Sequence, residues 1–338
     1  MADTILQSNA RKRESVSLSQ TAEILRSSDN ILIVSHMRPD GDCLGSTIGL
    51  FLGLRTLGKR VAAYNSSEIT GKWDFLQGSD NVKNTYPEWP VELTVFVDCG
   101  AVYRVSDTFK PFGATLNIDH HLTNDCFADN NYIDIDSCAV GEQIVNLLGE
   151  LGVPLTPTIA SALYLSVLTD TGGFRYPNTT DRAFRIASQL VAAGADPGSI
   201  AQEIFESRSK EEFALTARVL TSLRYEFNDT LVWGELRLAD YAANGGTENE
   251  PEGLASEIRG VRGVEVSVLF HETPDGATRA GFRGKGRIDC SAIAKACGGG
   301  GHFNASGASI EGMPYEAARD KVLAIVRKAV AAYRPDGA

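Results

Sequence analysis

Three of the five histidines in this chain fall in two short segments flanked by carboxylates. The first is His36-Met37-Arg38-Pro39-Asp40-Gly41-Asp42, after the apolar run Ile31-Leu32-Ile33-Val34; the second is Asp119-His120-His121, after the run 114–118. Imidazole nitrogens and carboxylate oxygens are the ligands that suit divalent ions such as Mn2+, Fe2+ or Zn2+, and His beside Asp at a strand end is otherwise costly to bury. Two further acids close apolar runs in the same way. Asp98 follows Leu93-Thr94-Val95-Phe96-Val97, and Asp170 follows the stretch 162–168, which fits a helix or a strand. A lone aspartate after a strand is usually a turn former or a helix cap. Four such segment ends, each bearing His or Asp, point to metal chemistry at a shared site.

Such a site needs elements whose ends converge. The first part of the chain alternates a helix at 18–27, a strand at 31–35, a helix at 44–57 ended by Gly58, and strands at 61–64, 93–97 and 114–118, the βαβ rhythm of a parallel sheet. In open parallel sheets the functional crevice lies beyond the carboxyl ends of the strands, so these four ends are expected to be strand ends meeting there. Helices are expected at 140–151, closed by Gly152, at 181–193, stopped by Gly194, and over the charged stretch 199–223, read as a solvated interdomain connector. From Thr230 strands at 231–238, 264–270 and 278–282 mix with helices at 252–259, 290–296 and 315–333, and 244–249 reads as a polar loop. The expected fold class is α/β with two domains: a parallel-sheet domain at 17–205, a helical connector at 206–229, and a smaller α/β domain at 230–338, with a cleft between the domains.

Composition narrows the function classes. A chain of 338 residues is long enough for two cores, and its formal charge of −11 disfavours a grip on long duplex nucleic acid, which calls for a basic face. A small anionic substrate, neutralised locally by metal ions and a few arginines, fits better. No run approaches the roughly 20 apolar residues of a membrane span, and the first twenty residues are polar and charged rather than a signal peptide, so the expected location is the cytoplasm and no membrane partner is expected. The six cysteines (Cys43, Cys99, Cys126, Cys138, Cys290, Cys297) lack CxxC spacing, which suggests neither structural zinc nor a disulfide framework. Cys43 and Cys99 adjoin proposed ligands, but small buried fillers explain them and they receive no role here.

The second domain carries its own signal. Arg279, Arg283, Lys285 and Arg287 precede Gly298-Gly299-Gly300-Gly301-His302. Consecutive glycines let backbone N–H groups approach an anion, and arginine grips phosphate bidentately.

Taken together, Ser35-His36 to Asp42 with Gly45-Ser46, Val97-Asp98, Asp119-His120-His121, Thr169-Asp170-Thr171-Gly172-Gly173-Phe174 and the glycine block resemble the DHH phosphoesterase superfamily, specifically its DHH–DHHA1 branch of short-oligoribonucleotide and pAp phosphatases. The resemblance implies two Mn2+ ions, or Mg2+, Co2+ or Fe2+ in their place, one held by His36, Asp40 and Asp98 and the other by Asp42, Asp98, His120 and Asp170, with Asp98 bridging. It implies that His121 is a general acid or electrostatic stabiliser and that Asp119 orients a histidine. It further implies that Arg283, Gly299, Gly300, Gly301 and His302 bind the substrate phosphate. The implied activity is a hydrolase that degrades oligoribonucleotides of a few residues to mononucleotides, as an exonuclease, and converts 3′-phosphoadenosine 5′-phosphate (pAp) to AMP. The alternatives are a linear or cyclic dinucleotide phosphodiesterase, a pyrophosphatase, or a non-catalytic nucleotide-binding module. One position departs from the resemblance: Val140 in Cys138-Ala139-Val140-Gly141-Glu142 stands where relatives carry a small hydroxyl residue. Nothing in the sequence signals an oligomeric state.

Overall fold

A computed structural model, which describes residues 14–69, 71–244, 253–301 and 303–333, divides the chain into two units, 1–206 and 207–338. In the first, seven strands form one sheet: β1 (Glu14–Ser15), β2 (Asn30–Ser35), β3 (Arg60–Tyr64), β4 (Val82–Lys83), β5 (Leu93–Val97), β6 (Ala114–Asp119) and β7 (Asn130–Ile133). Their order is β1-β7-β6-β5-β2-β3-β4 and every pairing is parallel. The chain runs from β2 outward to β3 and β4, then returns to the other side of β2 at β5 and continues outward to β6 and β7. The carboxyl ends of β2 and β5 therefore flank the point where the strand order reverses, the place where α/β sheets open a crevice.

Both faces of the central strands are covered, which is why β2 and β5 read as unbroken apolar runs. Ile31, Ile33, Val95 and Val97 pack into the core shared with the helices, while Leu32, Val34 and Phe96 pack with Tyr64, Cys99, Val105 and Phe109 on the other side. The helices of this unit are α1 (Leu18–Ser27), α2 (Gly41–Thr56), α3 (Val140–Glu150), α4 (Pro157–Asp170), α5 (Asp181–Ala192) and α6 (Pro197–Phe205). The run 162–168 is thus helical, and Asp170 ends a helix rather than a strand. Thr156 caps α4, accepting the Ile159 N–H, and Pro157 occupies the first helical position. Gly172 and Gly173, both at positive φ, end the helix by returning their N–H groups to Thr169 O and Leu168 O.

The second unit comprises α7 (Lys210–Leu220), β8 (Arg224–Glu226), β9 (Leu231–Leu236), α8 (Leu238–Ala243), α9 (Leu254–Arg259), β10 (Val266–Glu272), β11 (Thr278–Gly284), α10 (Cys290–Ala296), β12 (Gly300–Gly301), β13 (Ala305–Ile310) and α11 (Tyr315–Ala332). Its six-stranded sheet, β12-β13-β11-β10-β9-β8, is antiparallel except for β9 with β10. Leu231, Val266, Val268 and Phe270 pack against α10 and α11, and Val232, Leu236 and Leu269 pack against α7 and α9. The stretch expected as a single connecting helix is broken: α6 ends at Phe205, and Ser209 opens α7 with a capping box to Glu212. α7 then lays Leu215 and Val219 on the second sheet, so most of 206–229 is built into the second unit. The expected polar loop, beyond Asn244, lies outside the described residues. No described helix is long and apolar enough to cross a membrane.

Candidate metal centre

Register determines which side chains can meet. Ser35 pairs with Val97 and Val97 with Ile118, so the residues that follow, His36, Asp98 and the Asp119-His120-His121 segment, leave three adjacent strands side by side with Asp98 in the middle. Asp98 is 3% exposed and sits at φ +57°, a left-handed conformation that Asp tolerates better than most residues. Its Oδ2 is 3.4 Å from His36 Nε2, and its Oδ1 is 3.9 Å from His120 Nε2 and 3.5 Å from His121 Nδ1. Asp98 Oδ1 is buried yet accepts no hydrogen bond. An orphaned carboxylate oxygen facing imidazoles is what a cation position looks like from the protein side.

Two helices complete the set. Asp40 caps α2, its Oδ1 accepting the Cys43 N–H at 3.0 Å, and lies 3.9 Å from His36 Nε2. Asp42, in the first turn of α2, and Asp170, at the end of α4, place Oδ2 atoms 3.7 and 3.8 Å from His120 Nε2. Three groups of potential ligands emerge among the described residues, each with its atoms within 4.8 Å of one another: His36, Cys43 and Asp98; Asp98, His120 and His121; and Asp42, His120 and Asp170. Asp40 is in none of them.

The histidines are oriented for ligation. Nδ1 of His36 lies 2.9 Å from Met37 O and Nδ1 of His120 lies 3.2 Å from Ser137 O. A carbonyl only accepts, so Nδ1 carries the proton in both rings and Nε2 is left toward the carboxylates. His121 differs: its Nδ1 is 2.7 Å from Asp119 Oδ1, and the other Asp119 oxygen accepts from Asn124. Asp119 is fully buried and binds His121 rather than joining a ligand group.

Partners that the sequence reading missed hold the carboxylates. Asp42 accepts from Val140 N at 2.9 Å, Gly141 N at 3.3 Å, Ser46 Oγ at 2.9 Å and Ser166 Oγ at 2.6 Å, so it seals the amino end of α3 while facing His120. The departure at Val140 leaves this contact intact because the backbone makes it. Asn178 Nδ2 reaches Asp170 Oδ2 at 3.3 Å, and Arg182 ties buried Glu142 to Asp134 beside the Ser137 carbonyl that anchors His120. Ser46 and Ser166 were findable, each one helical turn from an expected ligand.

A glycine row sets the helix spacing. Gly41, Gly45 and Gly49 of α2 face α4, and Gly53 faces Leu148 of α3. A Cβ on Gly45 would overlap the backbone carbonyl oxygen of Ala162. Absent side chains thus let α2 and α4 approach closely enough for Asp42 and Asp170 to share His120.

Without a cation the charges neutralise one another. Burial disfavours protonated His120, but Asp170, Asp42 and Asp98 more than offset it and hold its pKa up to about 10. Burial, with Asp98 nearby, pushes Asp42 up to about 8 against the pull of His120, and burial pushes Asp170 up to about 6. Asp98 is held well below the usual carboxylate range: burial opposes this, but His36, His121 and His120 outweigh it. The donor set fits divalent cations: clustered oxygens and imidazole nitrogens, buried, correctly oriented and one of them orphaned.

In the second unit Arg283 lies on β11 opposite Ser267 and Ala305, donating to Phe282 O at 3.0 Å. Gly298 and Gly299 end α10, their N–H groups spent on Lys295 O and Ala294 O, and Gly300 and Gly301 pair with Gly307 and Ser306. A Cβ at Gly299 would overlap Gly307 O, so packing against β13 requires that glycine. His302 lies outside the described residues.

Known proteins resemble this chain in sequence and in fold. Residues 30–167 match the family model described as DHH family, N-terminal domain, and residues 238–332 match the DHHA1 domain. The chain is 31% identical to the bifunctional oligoribonuclease and PAP phosphatase NrnA of Thermus thermophilus, over 91% of this chain and 92% of that protein. It is 29% identical to the Bacillus subtilis protein of the same name, over 83% and 90%. A crystal structure of an exopolyphosphatase-related protein from Bacteroides fragilis superposes with a TM-score of 0.82 at 22% identity, covering 93% of this chain and 95% of that one, a likeness of fold.

Proposed function

The chain belongs to the DHH family with a C-terminal DHHA1 domain, and from that premise we propose that it is a phosphoesterase dependent on two divalent cations, Mn2+ foremost, that hydrolyses short oligoribonucleotides to mononucleotides and pAp to AMP. The observation that carries the reading is Asp98: buried, central among three strand ends, with one oxygen toward His36 and an unpaired one toward His120 and His121.

In this reading His36, Asp98 and Asp40 hold one cation, and Asp98, Asp42, His120 and Asp170 hold the other. The cations, when bound, supply Lewis acidity toward the phosphoryl oxygens and make water a better nucleophile at neutral pH. Asp98 belongs to both sets, so its loss dismantles both. The Asp119 carboxylate fixes His121 through Nδ1, leaving the opposite ring edge to donate a proton to the departing ribose oxygen. Arg283, with Gly300, Gly301 and His302, grips a substrate phosphate; Gly299, expected there too, has its N–H spent on Ala294 O and serves packing against β13 instead. The names of the Thermus thermophilus and Bacillus subtilis relatives support the substrate pair, since the chain spans nine-tenths or more of each relative.

The test is a substrate panel. Metal-stripped protein, with and without Mn2+, is given pAp, a 5′-phosphorylated diribonucleotide, a long RNA and pyrophosphate separately, and the products are resolved chromatographically. Mn2+-dependent release of AMP from pAp and of mononucleotides from the dinucleotide, with the long RNA spared, is the expected result. Hydrolysis of pyrophosphate alone refutes it.

A further inference from the structure

Arg182 stands in the first turn of α5, where the helix dipole disfavours positive charge. Its guanidinium is spent outside that helix. Nε donates to Glu142 Oε1 at 2.6 Å, and Nη2 donates to Asp134 Oδ2 at 2.8 Å and to Ser137 Oγ at 3.3 Å. Glu142 is 1% exposed, and its other oxygen accepts the Cys138 N–H at 2.9 Å. Asp134 also accepts from Ser137 Oγ at 2.8 Å and from the Asp136 N–H at 3.1 Å. One planar cation therefore clamps both ends of the turn 134–138, which joins β7 to α3.

That turn carries the supports of one half of the metal centre. Ser137 O faces His120 Nδ1 at 3.2 Å. Cys138 O accepts from Asn178 Nδ2 at 2.9 Å, and the same amide reaches Asp170 Oδ2 at 3.3 Å. Asp42 accepts the N–H groups of Val140 and Gly141, which follow directly. Asp42, His120 and Asp170 form one of the ligand groups, so all three members are tied to residues 137–141. His36 is anchored elsewhere, on Met37 O.

We propose that Arg182 is the positioning residue of the Asp42–His120–Asp170 half: it touches none of these ligands, but by fixing the turn 134–138 it sets the geometry in which they receive one cation. The His36 half does not depend on it. This rests on the reading of the cluster as a metal centre. Lysine is no substitute, because an ammonium offers no fork to hold Glu142 and Asp134 together.

The test compares full-length wild-type protein with Arg182→Gln, Arg182→Lys and the double variant Glu142→Gln/Arg182→Gln. The double variant leaves no buried carboxylate without its partner, and Arg182→Lys keeps Glu142 neutralised, so the comparison stands where the single glutamine variant fails to fold. In a Mn2+ titration, each variant is expected to lose roughly 10–100-fold in affinity at one binding step and to keep the other. In nitrogen-15 NMR of the metal-free protein, the His120 Nδ1 proton is expected to exchange with water faster than in wild type, and the His36 Nδ1 proton at the wild-type rate. Both Mn2+ steps unchanged, or both weakened alike, overturns the proposal. So does full recovery in Arg182→Lys, since charge alone would then suffice, and so does a raised KM for pAp with unchanged Mn2+ binding, which would make Arg182 a substrate contact. Wild-type protein that binds no Mn2+ defeats the metal-centre reading instead, and the His120 proton still tests the clamp.

Discussion

Gly45→Ala isolates the role of helix spacing in the metal centre. The added methyl would meet the Ala162 carbonyl oxygen at less than 3.0 Å, where ordinary contact begins at 3.4 Å, and the neighbouring Ser166 backbone and Cβ leave it no side step. Since the obstacle is backbone, α2 and α4 must part by about 1 Å. Overpacking of this kind costs about 1–3 kcal/mol, and an unyielding neighbour places it at the upper end. Alanine recovers about 1 kcal/mol of helix propensity, leaving a net loss of about 2 kcal/mol. The separation also draws Asp42 away from Asp170, each of which now holds an oxygen 3.7 to 3.8 Å from His120 Nε2, so Mn2+ affinity is expected to fall too. The assay is urea denaturation of the metal-free protein, followed by the fluorescence of buried Trp73 in the first unit, beside a Mn2+ titration. Gly149→Ala is the control: this exposed helical glycine has nothing within 4 Å of a new Cβ, and alanine there stabilises by about 0.5–1 kcal/mol. A Gly45→Ala protein with wild-type midpoint and wild-type Mn2+ affinity refutes the spacing argument.

Asp98→Ala removes the shared carboxylate and is expected to cut turnover by more than the roughly 10–100-fold that follows loss of a ligand's supporting partner; near-normal activity sinks the two-cation assignment. Asn178→Ala, which strips a donor from Asp170, is expected to fall within that 10–100-fold range in metal affinity, read by competition with a chelating dye. Arg283→Ala is expected to raise KM with little change in kcat, and an unchanged KM removes it from the phosphate grip. Metal loading near neutral pH is expected to release protons, because neighbouring carboxylates hold His120 up to about 10 and burial holds Asp42 up to about 8 in the metal-free protein. The same shifts set a sign for stability. Both groups bind protons more tightly folded than unfolded, so the stabilisation each contributes to the metal-free protein is complete below about pH 6.5 for His120 and below about pH 4 for Asp42, and is lost as pH rises through the folded values. Calorimetry in two buffers of different ionisation heat measures the release, and a value of zero contradicts it.

The proposed ligands stood out in the sequence because their chemistry is local: a His or Asp directly after an apolar run needs no tertiary information to be noticed. The element bearing Asp170 did not, since an all-apolar stretch such as 162–168 suits a buried helix as well as a buried strand. β13 was missed for the opposite reason. Ala305-Ser306-Gly307-Ala308-Ser309-Ile310 has almost no β-branched content, and it is a strand because β11 and β12 pair with it on both sides. The glycines at 41, 45, 49 and 53 repeat at one helical turn, a signal present in the sequence, but only the contact with Ala162 and Leu163 shows which helix they admit. The supporting partners of Asp42, from 46, 140, 141 and 166, are scattered over 120 residues and meet only once the fold is formed.

The proposed ligands run from position 36 to position 170, wholly inside the first unit, and each buried apolar cluster draws its residues from one unit alone. An ion that binds there is a ligand for the native state of that unit and for no partly folded piece of it, because no short stretch of chain carries a complete set. Mass action then raises its unfolding free energy by about 2.7 kcal/mol when free metal exceeds the dissociation constant a hundredfold, and does nothing for the β-rich unit. Calorimetric melting is therefore expected to show an unfolding event of the first unit that climbs with Mn2+ concentration, so that a bound cation serves as a thermodynamic label for that unit.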